Sequence, residues 1–297
     1  MKTLFPSRFV LMLLVLFFMV SKSRAVIVYG GNGTQNTTAP TDDPGWNNVG
    51  VIGGGATGVY LGNRWVLTAN HVGAGSILLA GTNYNPSGSS VRLKNSNNTD
   101  ADLLLYRILG SPLLPTIKIS SNTPANGSSV TMIGFGRNRD PQITRWDNNW
   151  LEITNGTREG YKWAPGNTMR WGQNTIIGST FLTNITINTA VFETRFSASL
   201  NNAEGSTGDS GGAAFFKNGL TWELAGIIDA IGTFSGQPAE TSVYQYPVFL
   251  GIDGDRTYMA DLAQYQGQIV ATVPEPQTVT LFVSGILLVA ATKLRRK

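Results

Sequence analysis

From residue 49 onward the chain alternates apolar runs of only a few residues with clusters of glycine, asparagine, serine and proline. The runs fall at 49–52, 58–61, 65–69, 76–79, 103–108 and 130–133, then at 175–177, 185–187, 191–196, 213–216 and 224–228. Runs this short suit strands, because a helix needs sustained periodicity over roughly ten residues or more. Punctuated by turn formers, they predict an all-β chain built as a sandwich or a pair of barrels. One helical pattern interrupts them late: over 256–266, Tyr258, Met259, Leu262 and Tyr265 share a face. Residues 30–48 read as irregular, and the polar stretch 137–174 as loops and a hairpin. Trp146, Trp150, Trp163 and Trp171 in that stretch read as cover for a core edge rather than as a sugar-binding surface.

The 297 residues include no cysteine and a single histidine, His71. Thiolate chemistry and cysteine-ligated zinc are thereby excluded, and a site built from several histidines is ruled out. An extracellular domain of this kind must rely on its core rather than on disulfides. The formal net charge of +4 owes much to the two ends, with Lys2, Arg8, Lys22 and Arg24 at the front and Lys293, Arg295, Arg296 and Lys297 at the back. Without them the chain is close to neutral or slightly acidic, which removes the electrostatic case for binding nucleic acid.

Both ends read as targeting segments. In residues 1–25, Lys2 and Arg8 precede an apolar run over 9–20, and Ser23-Arg24-Ala25 offers small residues for cleavage. That is the pattern of a secretory signal peptide, with an uncleaved membrane anchor as the alternative. At the other end, within 272–297, Val273-Pro274-Glu275-Pro276 precedes an apolar stretch over 279–291 and a terminal basic cluster. An apolar helix closed by basic residues should stop in the membrane with its basic end in the cytoplasm.

Three segments carry the residues for acyl-transfer chemistry. Gly208-Asp209-Ser210-Gly211-Gly212 puts a serine in a glycine-flanked turn, where backbone N–H groups can face a developing oxyanion. Leu67-Thr68-Ala69-Asn70-His71 ends an apolar strand on the one imidazole available as a base. Asp100-Ala101-Asp102-Leu103-Leu104-Leu105 offers two acids at the mouth of an apolar strand. Asp102 abuts the run directly and is preferred, with Asp100 as the competing candidate.

Together these segments resemble the trypsin-like (chymotrypsin-fold) serine proteases. Thr68-Ala69-Asn70-His71 is similar to that family's histidine motif, Asp102-Leu-Leu-Leu to its aspartate strand, and Gly208 to Gly212 to its nucleophile loop, in the order His, Asp, Ser. Ile133-Gly134-Phe135-Gly136 looks like the strand opening its second barrel, and Ala225-Gly226-Ile227-Ile228 like the strand after its nucleophile. The resemblance implies a protease domain over 26–268, made of two packed six-stranded Greek-key β-barrels at about 46–125 and 126–255, with a terminal helix at about 256–266. It implies a serine endopeptidase acting on protein or peptide substrates without a metal or organic cofactor. Ser210 would be the nucleophile, His71 the base, and Asp102 its orienting acid; the N–H groups of Gly208 and Ser210 would form the oxyanion hole.

The resemblance further implies that Asp209 pairs with a new N-terminus. Signal cleavage after Ala25 would supply one at Val26, whereas Val51-Ile52-Gly53-Gly54 lies too near His71 to do so. Glu204 falls where the family places the floor of its specificity pocket, which would favour Lys or Arg there; the alternative is a solvated loop acid. Asp229 falls near the family's Ser-Trp-Gly segment, which lines the substrate cleft. The C-terminal tail resembles the PEP-CTERM sorting signal of certain bacteria. That implies export by signal peptidase, removal of the tail by an exosortase, and a surface or extracellular location after transient anchoring. The competing readings are a non-catalytic surface protein on a protease fold and an esterase-type acyl hydrolase.

Overall fold

A computed structural model describes residues 26–183, 187–249 and 251–273. The signal segment at 1–25 and the Pro-Glu-Pro motif with its apolar tail lie outside the described residues. Among the described residues no helix is long and apolar enough to cross a membrane.

In chain order the first strands are β1 (Ile27–Val28), β2 (Val49–Ile52), β3 (Ala56–Gly62), β4 (Trp65–Ala69), β5 (Ile77–Leu79), β6 (Thr82–Tyr84), β7 (Pro86–Lys94) and β8 (Asp100–Ile108). There follow β9 (Ser129–Gly134), β10 (Arg137–Arg139), β11 (Thr144–Trp146), β12 (Arg158–Asn167), β13 (Arg170–Thr183) and β14 (Asn188–Arg195). The last are β15 (Ala203–Glu204), β16 (Ala213–Asn218), β17 (Thr221–Gly232), β18 (Thr241–Val248), β19 (Gly251–Asp253) and β20 (Arg256–Asp261), before the helix α1 (Gln266–Thr272). The fold is mostly β, with two β-sheet domains and a short C-terminal helix.

The C-terminal domain is a closed barrel of six strands, β13-β14-β20-β17-β16-β9. Val130, Met132, Ile176, Phe192, Ala225 and Met259 fill it. The N-terminal domain differs from expectation: seven strands run in the order β6-β5-β2-β3-β4-β8-β7, instead of six closed into a barrel. Its two edges explain the difference. β6 is polar, and β7 shows solvent a mainly polar strand of Ser87, Gly88, Ser89, Ser90, Arg92 and Lys94. Edges of that composition discourage further pairing. A single core joins the domains, with Val49, Leu67, Leu103 and Leu105 packed with Ile133, Phe215, Leu224 and Ile227.

Two further expectations need correction. Residues 256–261 are not helical but form β20, with Met259 opposite Phe192 on one side and Ile228 on the other. Pairing on both edges satisfies more backbone than one turn of an isolated helix could. Asp261 then caps a short 3₁₀ turn by accepting the Ala263 N–H at 3.2 Å, and α1 begins only at Gln266. The stretch 137–174 is likewise more than loops and a hairpin. β10 and β11 pair with β12, and β12 continues onto β18, placing Tyr161 opposite Ser242.

The short strand β1 is fixed by burial. Ile27 and Val28 are enclosed and pair with Glu204 and Ala203 of β15. Arg139, itself buried, donates from Nε to the Val28 carbonyl at 2.9 Å and lies 3.8 Å over the Tyr161 ring. A desolvated guanidinium is stabilised by such carbonyl and aromatic contacts.

Candidate active site

β4 and β8 pair antiparallel with Ala69 opposite Leu103, so the end of β4 lies beside the start of β8. His71 sits in the turn that follows β4, where the Val72 N–H returns to the Ala69 carbonyl at 3.1 Å. The Asp102 carboxylate takes two bonds from His71, one from its backbone N–H at 2.8 Å and one with Nδ1 at 2.6 Å. Which ring nitrogen carries the proton follows from this contact, since a carboxylate can only accept. Asp102 is fully buried, and its own N–H donates to Thr189 Oγ1 on β14 at 2.8 Å. Burial works against ionisation of Asp102, but the interactions that favour its charge, led by the bond from His71 with Asp229 adding to it, outweigh burial and hold the carboxyl below its ordinary range. Asp100 lies elsewhere, exposed and paired with Lys94 and Arg92.

Ser210 is half-buried in a tight turn, where the Gly212 N–H returns to the Asp209 carbonyl at 2.8 Å. The turn is pinned to β17 by Gly211 N–H to Ile228 carbonyl and Ile228 N–H to Gly212 carbonyl, both 2.8 Å. It is pinned to the other domain by Thr57 of β3. The Thr57 N–H donates to the Ser210 carbonyl at 3.0 Å, and the Thr57 hydroxyl donates to the Gly208 carbonyl at 2.9 Å. That hydroxyl also accepts the Phe135 N–H at 3.0 Å. Among the described residues the N–H groups of Gly208 and Ser210 donate to no protein acceptor. They remain available to an oxygen atom from outside the protein.

Asp229 was expected in the substrate cleft. It lies instead almost fully buried behind the imidazole, with Oδ1 3.7 Å from His71 Nδ1. Burial first, and then the neighbouring Asp102 charge, push its carboxyl up to about 9. His71, Asp102 and Asp229 form the one group of three potential metal-ligating side chains found among the described residues.

Two other sequence-selected acids are enclosed. Asp209 is fully buried, accepting from the Ser206 N–H at 2.8 Å and the Ser206 hydroxyl at 2.9 Å. Burial raises its carboxyl to about 7 against hydrogen bonds from Ser206 and from the backbones of Gly136 and Val26. Glu204 lies in β15 opposite Ile27 and is fully buried, so it is not a solvated loop acid. Burial, then the Asp255 charge, raises it well above the usual carboxylate range.

Sequence reasoning missed Thr57, Thr189 and Ser206. Thr57 meets Gly208 across 151 residues of chain, and no local motif marks a partner that remote.

A model of the Trypsin family matches residues 34–248. No curated protein matches the sequence. Among solved structures the chain is similar to neuropsin, a serine protease expressed in the limbic system of mouse brain. The identity is 18%, with 80% of this chain and 98% of that chain covered and a TM-score of 0.51. It also matches the inactive form of the Rv3671c protease at 15% identity, covering 84% of this chain and all of that one, with a TM-score of 0.47. The active form of that protease, from M. tuberculosis, matches at 15% identity over 76% of this chain and 78% of that one, with a TM-score of 0.43.

Proposed function

Because the chain belongs to the trypsin family, we propose that it is a serine endopeptidase working through His71, Asp102 and Ser210. The 2.6 Å contact between His71 Nδ1 and the buried Asp102 carboxylate carries this reading. It leaves Nε2 to take a proton from Ser210 as the serine oxygen attacks the scissile carbonyl carbon. The oxyanion that forms is met by the N–H groups of Gly208 and Ser210. His71 then returns the proton to the leaving amine, and water releases the acyl group from Ser210 by the same route in reverse. The substrate is a protein or peptide. A fluorophosphonate probe should label the processed protein and fail to label Ser210→Ala; an unlabelled wild-type protein would sink the reading.

The same reading extends to processing. Signal peptidase cleaves after Ala25, and the new Val26 ammonium neutralises Asp209. The burial of Val26 and the Val26 backbone bond to Asp209 support it. Its signature is a pH dependence. In a chain that retains Ala25, Asp209 rises from 3.8 to about 7, so the folded state holds its proton more tightly than the unfolded state. Stability from this group is complete below 3.8 and is lost as pH rises toward about 7. An ammonium beside the carboxylate removes that loss. The protein starting at Val26 should therefore out-melt the Ala25-retaining form by a margin that grows over this range, to roughly 2–4 kcal/mol. Equal melting temperatures at neutral pH would count against it. Export to the cell surface or beyond, with the C-terminal tail anchoring the chain until an exosortase removes it, completes the proposal.

A further inference from the structure

Asp229 has no role in the mechanism above, yet it lies behind the catalytic imidazole. It is carried by β17, at the point where the pairing of β17 with β20 slips between Ile228 and Ala230. That irregularity lies next to the bond holding Ile228 to Gly212 of the nucleophile turn. The ligating atoms of His71, Asp102 and Asp229 all lie within 4.8 Å of one another. Two carboxyl groups are thus buried together, and among the described residues neither Asp229 oxygen has a hydrogen-bond donor. The titratable groups facing Asp229 are His71, Asp102 and the Tyr265 phenol, which Asp229 also perturbs. Among the described residues the only basic side chain within ion-pair reach is His71 itself.

Two ionised carboxylates in one dry site repel strongly, and one proton shared between them relieves the repulsion. The proton belongs on the acid with fewer donors. Asp102 already receives two bonds from His71, and Asp229 receives none. We propose that Asp229 is a positioning residue, a protonated carboxyl kept beside Asp102 so that the buried pair presents a single negative charge to His71. This rests on the peptidase reading for its catalytic meaning, though not for its test. While Asp229 keeps its proton, His71 faces a single carboxylate, that of Asp102. When Asp229 ionises, a second charge comes to lie 3.7 Å from Nδ1 and repels the Asp102 carboxylate, which disturbs the contact that orients the imidazole.

His71 is the only histidine, so one ¹⁵N-labelled imidazole reports the site without assignment, provided no histidine tag is used. Its nitrogen shifts should show an inflection near pH 9 in the wild-type protein, where Asp229 titrates, and none in Asp229→Asn. Catalysis should follow, with wild-type kcat/KM falling through that range and the variant, whose neutral amide cannot ionise, showing no such fall. Wild-type shifts without the alkaline inflection would overturn the proposal, as would an inflection that survives in Asp229→Asn or in the second variant, Asp229→Ser. The wild-type titration decides the matter even where a variant fails to fold. Because the titration needs no turnover, an unreactive Ser210 would sink the peptidase reading and leave this one standing.

Discussion

Replacing Ser210 with alanine is expected to lower kcat by about 10⁵- to 10⁶-fold while leaving KM within a small factor. The reason lies in the geometry of the turn rather than in the serine alone. Alanine keeps the backbone bonds that pin the loop, from Thr57 N–H to the residue-210 carbonyl and from Gly211 N–H to Ile228. The protein should therefore fold, bind substrate and still present two free N–H groups. What it lacks is the atom that becomes covalently bonded to the acyl carbon. The remaining rate should exceed the uncatalysed one, since oxyanion donors and substrate positioning contribute on their own. Steady-state kinetics on a peptide substrate, with melting temperature measured alongside, checks both halves. A variant that kept more than a hundredth of wild-type kcat would remove Ser210 from the chemistry.

The second large effect concerns Gly211, where φ is +84°. A β-carbon there would collide with the Thr57 carbonyl oxygen and the Thr68 hydroxyl. The first of these is backbone and cannot swing away. Gly211→Ala should cost the left-handed penalty of about 1–2 kcal/mol together with overpacking of about 1–3 kcal/mol. For a domain of this size that lowers the melting temperature by roughly 5–15 °C. Gly219 provides the comparison. It also has positive φ, at +61°, in the hairpin turn between β16 and β17, but a β-carbon there meets nothing within 4 Å. Gly219→Ala should lose only about 1–2 kcal/mol. If the two variants melt together, the approach of β3 to the nucleophile turn is looser than its hydrogen bonds suggest.

The segments carrying His71, Asp102 and Ser210 were legible because each is a local event. A strand end, a turn and a glycine-flanked serine are written in five or six consecutive residues, and their chain order supplied the family. The choice of Asp102 over Asp100 was legible too, since only Asp102 joins the apolar run that carries it inward. Elsewhere the signal failed for identifiable reasons. Tyr258, Met259 and Leu262 have helical spacing, but the buried set in β20 is Thr257, Met259, Ala260 and Asp261, and two of those are polar. Strand β12 contains the poor strand formers Gly160, Pro165 and Gly166; Gly160 is held by Thr144 on one side and Val243 on the other, while Pro165 and Gly166 lie opposite a register shift in the pairing with β10. Asp229 was located near the cleft but not behind the imidazole, because its position depends on a pairing slip with β20 that no local pattern records.

Thr57 bears on when the molecule can become active. Its hydroxyl bridges Gly208 and Phe135 from the opposite domain, so the nucleophile turn gains its final supports only once the two sheets have docked. His71 and Asp102 come from one domain and Ser210 from a turn of the other, so in the proposed peptidase neither half holds the constellation by itself. If the chain is the peptidase proposed above, a partly folded molecule would contain every reactive residue and still leave its neighbours uncut. In that reading assembly itself acts as the safety catch.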